Sequence, residues 1–296
     1  MLKQPLSYKD QVDRLKSHGM IIDDEKSVCE ELSRINYYRF TGYALQYRKA
    51  ANNSDYIPGT TYDQVIALYH FDEELRDCLR KYIECVEVYF RTIISHEFSM
   101  IKCSHPPYDQ HYDEQNYYNK IGFEEIKEHF EREKSYYKDS LVMKHHQRKY
   151  DGKMPLWVMV EMMSISDVSK LYSCMYYSEQ AVIAKAAGTG IQTLKNHLHC
   201  IAILRNKCSH AARLYNTTLY PAVELSESFL RKYPSVNNDT LFAYMVALVK
   251  RLPKKEKKQQ LIEELDQLLT KYNNRIVLAE IGFPVEWKSI LLRQHT

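Results

Sequence analysis

The sequence predicts an all-α protein, a helical bundle with additional helices at its N- and C-terminal ends. Three observations point there. Apolar residues recur at spacings of three and four along most of the chain, and no stretch alternates with the period of two that a strand needs. Turn-formers are scarce: 8 glycines and 9 prolines in 296 residues. A many-stranded sandwich or barrel turns every ~8–12 residues and would need more. The balance of 45% hydrophobic and 27% charged residues fits a globular core and excludes a disordered chain. The 25 tyrosines predict a core rich in ring–hydroxyl contacts, because a buried tyrosine still needs a polar partner.

The elements follow in order. Ser7-Tyr8-Lys9-Asp10 has the spacing of a capping box, with Asp in place of Glu or Gln. It opens a helix through Val12 and Leu15 that stops near Gly19. Helices follow over Asp24–Ile35 and Tyr37–Tyr47, then a loop over Ala50–Gly59 with its Asn-Asn-Ser and Pro-Gly. Thr60 or Thr61 caps a very long helical pattern ending near Ile101, with a break expected near Phe71-Asp72, where Asp72 would cap a restart. His105–Asn119 and His145–Pro155 read as loops, and Gly122–Lys138 as a charged, exposed helix. Further helices are expected over Trp157–Tyr177, Ser178–Ala187, Ile191–Tyr215, Leu241–Arg251 and Lys254–Tyr272. No internal repeat divides the chain. Residues 1–296 read as a single domain, with 1–60 as N-terminal helices and 222–296 as a C-terminal helical extension packed on the core.

Charge and cysteine usage narrow the function classes. A net charge of +3 is no polybasic field, so a nucleic-acid site must be a local patch. The longest apolar run, Leu241–Val249, has nine residues against the ~20 of a membrane span. Met1–Asp10 lacks the apolar middle of a signal peptide. Seven scattered cysteines without a CxxC pair read as reduced core thiols of a cytoplasmic protein. No cofactor and no membrane partner are expected.

The sharpest constellation begins with the apolar run Ile201–Leu204. It delivers Arg205 and Asn206, then His210 five residues after the arginine, then Arg213 and Tyr215-Asn216. Arginine offers a planar fork for phosphate oxygens, and histidine moves protons near neutral pH. Together they suffice for metal-free attack of an RNA 2′-hydroxyl on the adjacent phosphorus, giving a 2′,3′-cyclic phosphate. The same residues also read as polar positions satisfied within a bundle. Five residues on a regular helix separate side chains by ~140°. Arg205 and His210 therefore converge only through an irregular helix or a second copy of the motif, with Asn206 placed to hold the arrangement. A second Arg-x4-His, Arg91 to His96, lies in an apolar-striped helix, where Arg91 is expected to pair with Glu87 one turn earlier.

Other candidates are weaker. His197, His199, Cys200, Cys208 and His210 cluster, but their order fits no zinc-ligand grammar; the two histidines are instead polar-face residues near RNA, or inert. Arg34, Tyr37, Tyr38 and Arg39 interleave cations with rings, as base-stacking surfaces do, or else form a helix start with core tyrosines. The basic run from Lys250 to Lys258 reads as a solvated face or as a phosphate patch.

The chain resembles the Abi-like (AbiD/AbiF-type) abortive-infection proteins of bacteria, members of the HEPN superfamily. The resemblance rests on Pro5-Leu6-Ser7-Tyr8 with Gln11-Val12, on Arg34-Ile35-Asn36-Tyr37-Tyr38-Arg39 with Gly42-Tyr43, and on Tyr69-His70-Phe71-Asp72 with Leu75-Arg76. It continues through Ile83-Glu84, Glu87 with Arg91, Pro155-Leu156-Trp157 with Glu161, Leu204-Arg205-Asn206 through His210 to Tyr215-Asn216, and Gly282-Phe283-Pro284 with Trp287. It implies a HEPN-like helical core whose Arg-x4-His motif is a ribonuclease signature, here Arg205 and His210 with Asn206 between them. It implies a metal-independent endoribonuclease of phage defence or of a toxin–antitoxin pair, regulated by a small noncoding RNA. A non-catalytic module holding a structured RNA is the other reading. RNA contacts are expected from Lys207, Arg213, Tyr215, Asn216 and His197, and from Arg34, Tyr38 and Arg39. The implied assembly is a homodimer pairing two motifs.

Overall fold

The computed structural model describes residues 4–51 and 53–294. Among them there are fourteen α-helices and no strand, and no helix is long and apolar enough to cross a membrane. The backbone forms two compact units: residues up to Leu75 with Gln267–Val277, and Arg76–Asp266 with the residues from Leu278 onward.

The first unit holds α1 (Tyr8–Ser17), α2 (Glu25–Leu32), α3 (Tyr37–Tyr43) and the start of α4 (Tyr62–Lys102). The expected capping box forms: Ser7 accepts from the Asp10 amide and the Asp10 carboxylate from Ser7. Asp24 caps α2 by accepting the Ser27 amide at 3.0 Å, and Thr61 Oγ1 accepts the Gln64 amide at 3.1 Å to open α4. Residue 52 of the expected loop lies outside the described residues. Helix α4 then runs unbroken for 41 residues, so no break falls at Phe71-Asp72. Asp72 is fully buried and spends its carboxylate on the Tyr43 hydroxyl at 2.7 Å, which leaves it no role as a cap.

The second unit contains the remainder of α4, then α5 (Lys120–Tyr136), α6 (Leu141–Tyr150), α7 (Leu156–Met159) and α8 (Ile165–Cys174). It continues with α9 (Tyr177–Ala186), α10 (Ile191–Ser209), α11 (Glu227–Lys232), α12 (Leu241–Arg251), most of α13 (Lys255–Lys271) and α14 (Trp287–Leu292). Helix α12 is its centre: Leu241 through Val249 are all buried to 1% exposure or less. A helix apolar all round can only be a core helix. Helix α10 packs on α12 and α8, α14 on α12, and α5 on α8. Several buried tyrosines find polar partners as anticipated. Tyr117 lies stacked between Phe98 and Phe123 while its hydroxyl donates to the His111 carbonyl at 3.0 Å, and Tyr244 donates to the Pro221 carbonyl at 2.7 Å.

Three segments differ from the periodicity. Helix α6 extends into the 145–155 stretch expected as loop, because Ser140 caps it and His146, buried, bonds back to the Val142 carbonyl at 2.9 Å. The helix expected over Trp157–Tyr177 breaks at Ser164, where a capping box with Asp167 starts α8 afresh. Helix α5 is not simply exposed, since Phe123, Ile126 and Phe130 are buried.

Gly282 shows how tightly α12 is held. Its φ is +72°, and a Cβ there would collide with Thr240, whose hydroxyl caps α12. Both a left-handed conformation and a clash oppose any side chain. Gly282→Ala should destabilise the protein by roughly 1–3 kcal/mol, read as a lower urea midpoint at unchanged m-value.

Candidate functional site

The motif occupies the last turn of α10. Leu204 and Cys208 are buried, which fixes that face of the helix inward. Arg205, Asn206 and Lys207 are half-buried, and His210 is exposed. Arg205 Nη1 donates to Asn206 Oδ1 at 3.3 Å, and Asn206 Nδ2 donates to Ser166 Oγ of α8, also at 3.3 Å. One asparagine thus ties the arginine to the neighbouring helix.

Helix α10 ends at Ser209, six residues short of the Tyr215 expected from periodicity. His210 is the C-cap, its amide donating to the Asn206 carbonyl. Ala211 takes a left-handed φ of 51°. The Ala212 amide bonds the Lys207 carbonyl at 2.9 Å and the Ala211 amide the Cys208 carbonyl. This is a Schellman end, with alanine where glycine is usual. The apolar periodicity of Leu214 and Tyr215 is real, but it belongs to a loop that folds back: both are buried. Arg76 secures that return, with Nη1 donating to the Ala212 carbonyl at 3.3 Å.

Several expected RNA contacts change role. His197 is fully buried, with Nε2 against the Glu224 carbonyl at 3.0 Å, and has no face for a ligand. Tyr215, 2% exposed, offers no ring for stacking. The structure leaves Lys207 and Arg213 half-buried and Asn216 exposed with a φ of 47°. In the first unit, Arg34 and Tyr38 are exposed and Arg39 is half-buried; Tyr38, at 86% exposure, is not a core ring.

The second Arg-x4-His is structural at its arginine. Arg91 Nη2 donates to Glu87 Oε1 at 2.7 Å, as the spacing predicts, and to the Met163 carbonyl at 2.6 Å. Part of the basic run is also internal. Arg251 is buried against the Ala187 carbonyl, and Lys250 lies over the Phe229 ring. Among the described residues no group of three His, Cys, Asp or Glu side chains is placed to hold a metal ion, and no disulfide joins any of the seven cysteines.

Burial pushes the His197 imidazole down to about 4, with the positive charge of Arg251 acting in the same direction. The unfolded chain takes up a proton near pH 6.5 that the native state refuses, so stability is full above that pH and falls from there toward pH 4. A displacement of this size is worth ~3 kcal/mol. Urea unfolding at pH 7 and pH 4 should show wild type losing more stability than His197→Gln by about that amount. Equal losses would remove His197 as the cause.

A family model described as Abi-like protein matches residues 30–216, a span from α2 through α10 that ends just past the motif. No curated protein and no solved structure matches the chain. By that match, which covers more than half of its length, the chain belongs to the Abi-like protein family.

Proposed function

We propose that the chain is a metal-independent endoribonuclease of HEPN type, acting in abortive infection against phage. One observation carries this reading: Arg205 and Asn206 are tied together on the last turn of α10, with an exposed His210 capping that turn, in a chain of Abi-like family. Arg205 holds the non-bridging oxygens of the scissile phosphate. The 2′-hydroxyl attacks, an O2′–P bond forms, and the P–O5′ bond breaks. An imidazole accepts the 2′-hydroxyl proton and an imidazolium returns one to the O5′ leaving group. Phage infection, or loss of an antitoxin such as a small noncoding RNA, releases the activity.

The regular course of α10 through Ser209 supports a two-chain site. Without a helical irregularity, Arg205 and His210 diverge by ~140°. A two-fold axis at the end of α10 would face each arginine with the other chain's histidine and supply two imidazoles, one base and one acid. An isologous homodimer of this kind is the commonest assembly.

Arg205→Ala and His210→Ala should each lower cleavage of a labelled RNA by ~10²–10⁴-fold with unchanged helical circular dichroism, and wild-type cleavage should survive EDTA. Full activity of His210→Ala would sink the assignment. An inactive wild type that copurifies with RNA, seen in its 260/280 nm absorbance ratio, would favour the binding-only module. For the shared site, Arg205→Ala and His210→Ala proteins are mixed under subunit exchange. Recovered cleavage is expected, and a monomer that cuts RNA at working concentration rules the shared site out.

A further inference from the structure

A cleft of about 550 Å3 lies between α5, α8 and α10. On α10 it is lined by Lys195, His199 and Ala202, at the four- and three-residue spacings of one helical face. Four residues further along the same face stands Asn206. The α8 wall includes Ser166 and Lys170, and Ser166 Oγ accepts the Asn206 amide at 3.3 Å. The cleft therefore leads, along one stripe of α10, to the residue that holds Arg205. From Lys195 to Asn206 the helix rises on the order of 16 Å.

The wall from α5 stands close because of a glycine. A Cβ on Gly122 would lie 2.5 Å from Asn119 Nδ2 and 2.9 Å from Cys174 Sγ. Burial pushes that Cys174 thiol up to about 11, which keeps it an inert, uncharged wall.

The cleft lysines lack the carboxylate partners that some lysines of the same unit have. Lys81, Lys102, Lys127 and Lys153 all pair with carboxylates. Lys170 and Lys195 are exposed, and among the described residues neither makes an ion pair or a hydrogen bond. They stand on different helices, with Glu125 the one carboxylate on the lining. Two unengaged ammonium groups, hydroxyls and an imidazole suit a phosphodiester chain. The volume falls in the ~300–1,000 Å3 range of small-ligand pockets, the size of a nucleotide and too small for a duplex.

We propose that this cleft seats a segment of single-stranded RNA, its phosphates on Lys170 and Lys195 and its sugars and bases against Ser166 and His199, running toward the Asn206–Arg205 corner. The proposal rests on reading that corner as an RNA-cleaving site. It places the main substrate contacts on α8 and α10, away from the Lys250–Lys258 run.

The test uses the full chain and a fluorescein-labelled oligouridine, 2′-O-methylated so that it cannot be cut, followed by anisotropy across a salt series. Lys170→Gln/Lys195→Gln should bind roughly tenfold more weakly at 0.1 M salt. Its slope of log affinity against log salt should be shallower by about 1.4, at ~0.7 for each lost phosphate contact on a single strand. Lys254→Gln, an exposed lysine of the basic run, should bind like wild type. Unchanged affinity and slope in the double variant would overturn the proposal, as would uridine monophosphate binding as tightly as the strand. An unblocked oligonucleotide separates the two readings. Lysine-dependent binding without cleavage by wild type supports the cleft and defeats the nuclease. Cleavage and binding that both ignore the lysine substitutions defeat the cleft and leave the nuclease standing.

Discussion

Nine consecutive residues with no polar face, Leu241–Val249, fix the second unit. All are buried, and a helix of that composition must be enclosed on every side. The helices around it are thereby committed. Helix α10 gives up Leu198, Ile201 and Leu204 to the interior, and this burial decides which of its residues are left at the surface. Arg205, Asn206 and the stripe through Lys195 and His199 are the remainder of that partition. The motif's residues are thus positioned by a helix that adds no side chain to them. The same burial explains the intolerance at Gly282, which packs against the residue that caps this core helix.

Asn206 is where the packing of α10 on α8 meets the motif. Its side chain accepts from Arg205 and donates to Ser166, so one amide links α10 to α8 and sets the guanidinium beside the cleft. An alanine would leave the arginine without its intrachain partner, and an aspartate would lack the donor for Ser166. On the proposed reading, the asparagine beside Arg205 acts as a brace between α10 and α8.

Much of this was legible in the sequence, for local reasons. Capping signals at Ser7 and Thr61 hold because a short polar side chain before an apolar-periodic run has a backbone amide to satisfy. The Arg91–Glu87 pair followed from one-turn spacing alone. Misreadings arose where the deciding partner is distant in sequence. Asp72 looked like a cap until the Tyr43 hydroxyl is seen to claim it. His197 looked like a surface histidine because its partner, the Glu224 carbonyl, lies 27 residues on. Ser164-x-x-Asp167 was a readable signal that the surrounding apolar period masked. The cleft was not legible, because Gly122, Lys170 and Lys195 stand on three helices whose approach only the fold defines.

The end of α10 bears on how such motifs tolerate change. Ala211 sits in the left-handed region, where a β-branched residue is a severe misfit and glycine or asparagine is at ease. The residue after the histidine therefore shapes the end of α10 through its φ, not through its methyl group. A chain could keep arginine and histidine intact and still lose the turn-back after the histidine if valine or isoleucine replaced that alanine, because without the left-handed residue the Ala212 amide no longer reaches the Lys207 carbonyl. Ranking relatives of this chain by arginine and histidine alone would miss that difference; including the φ preference of the following position would show it.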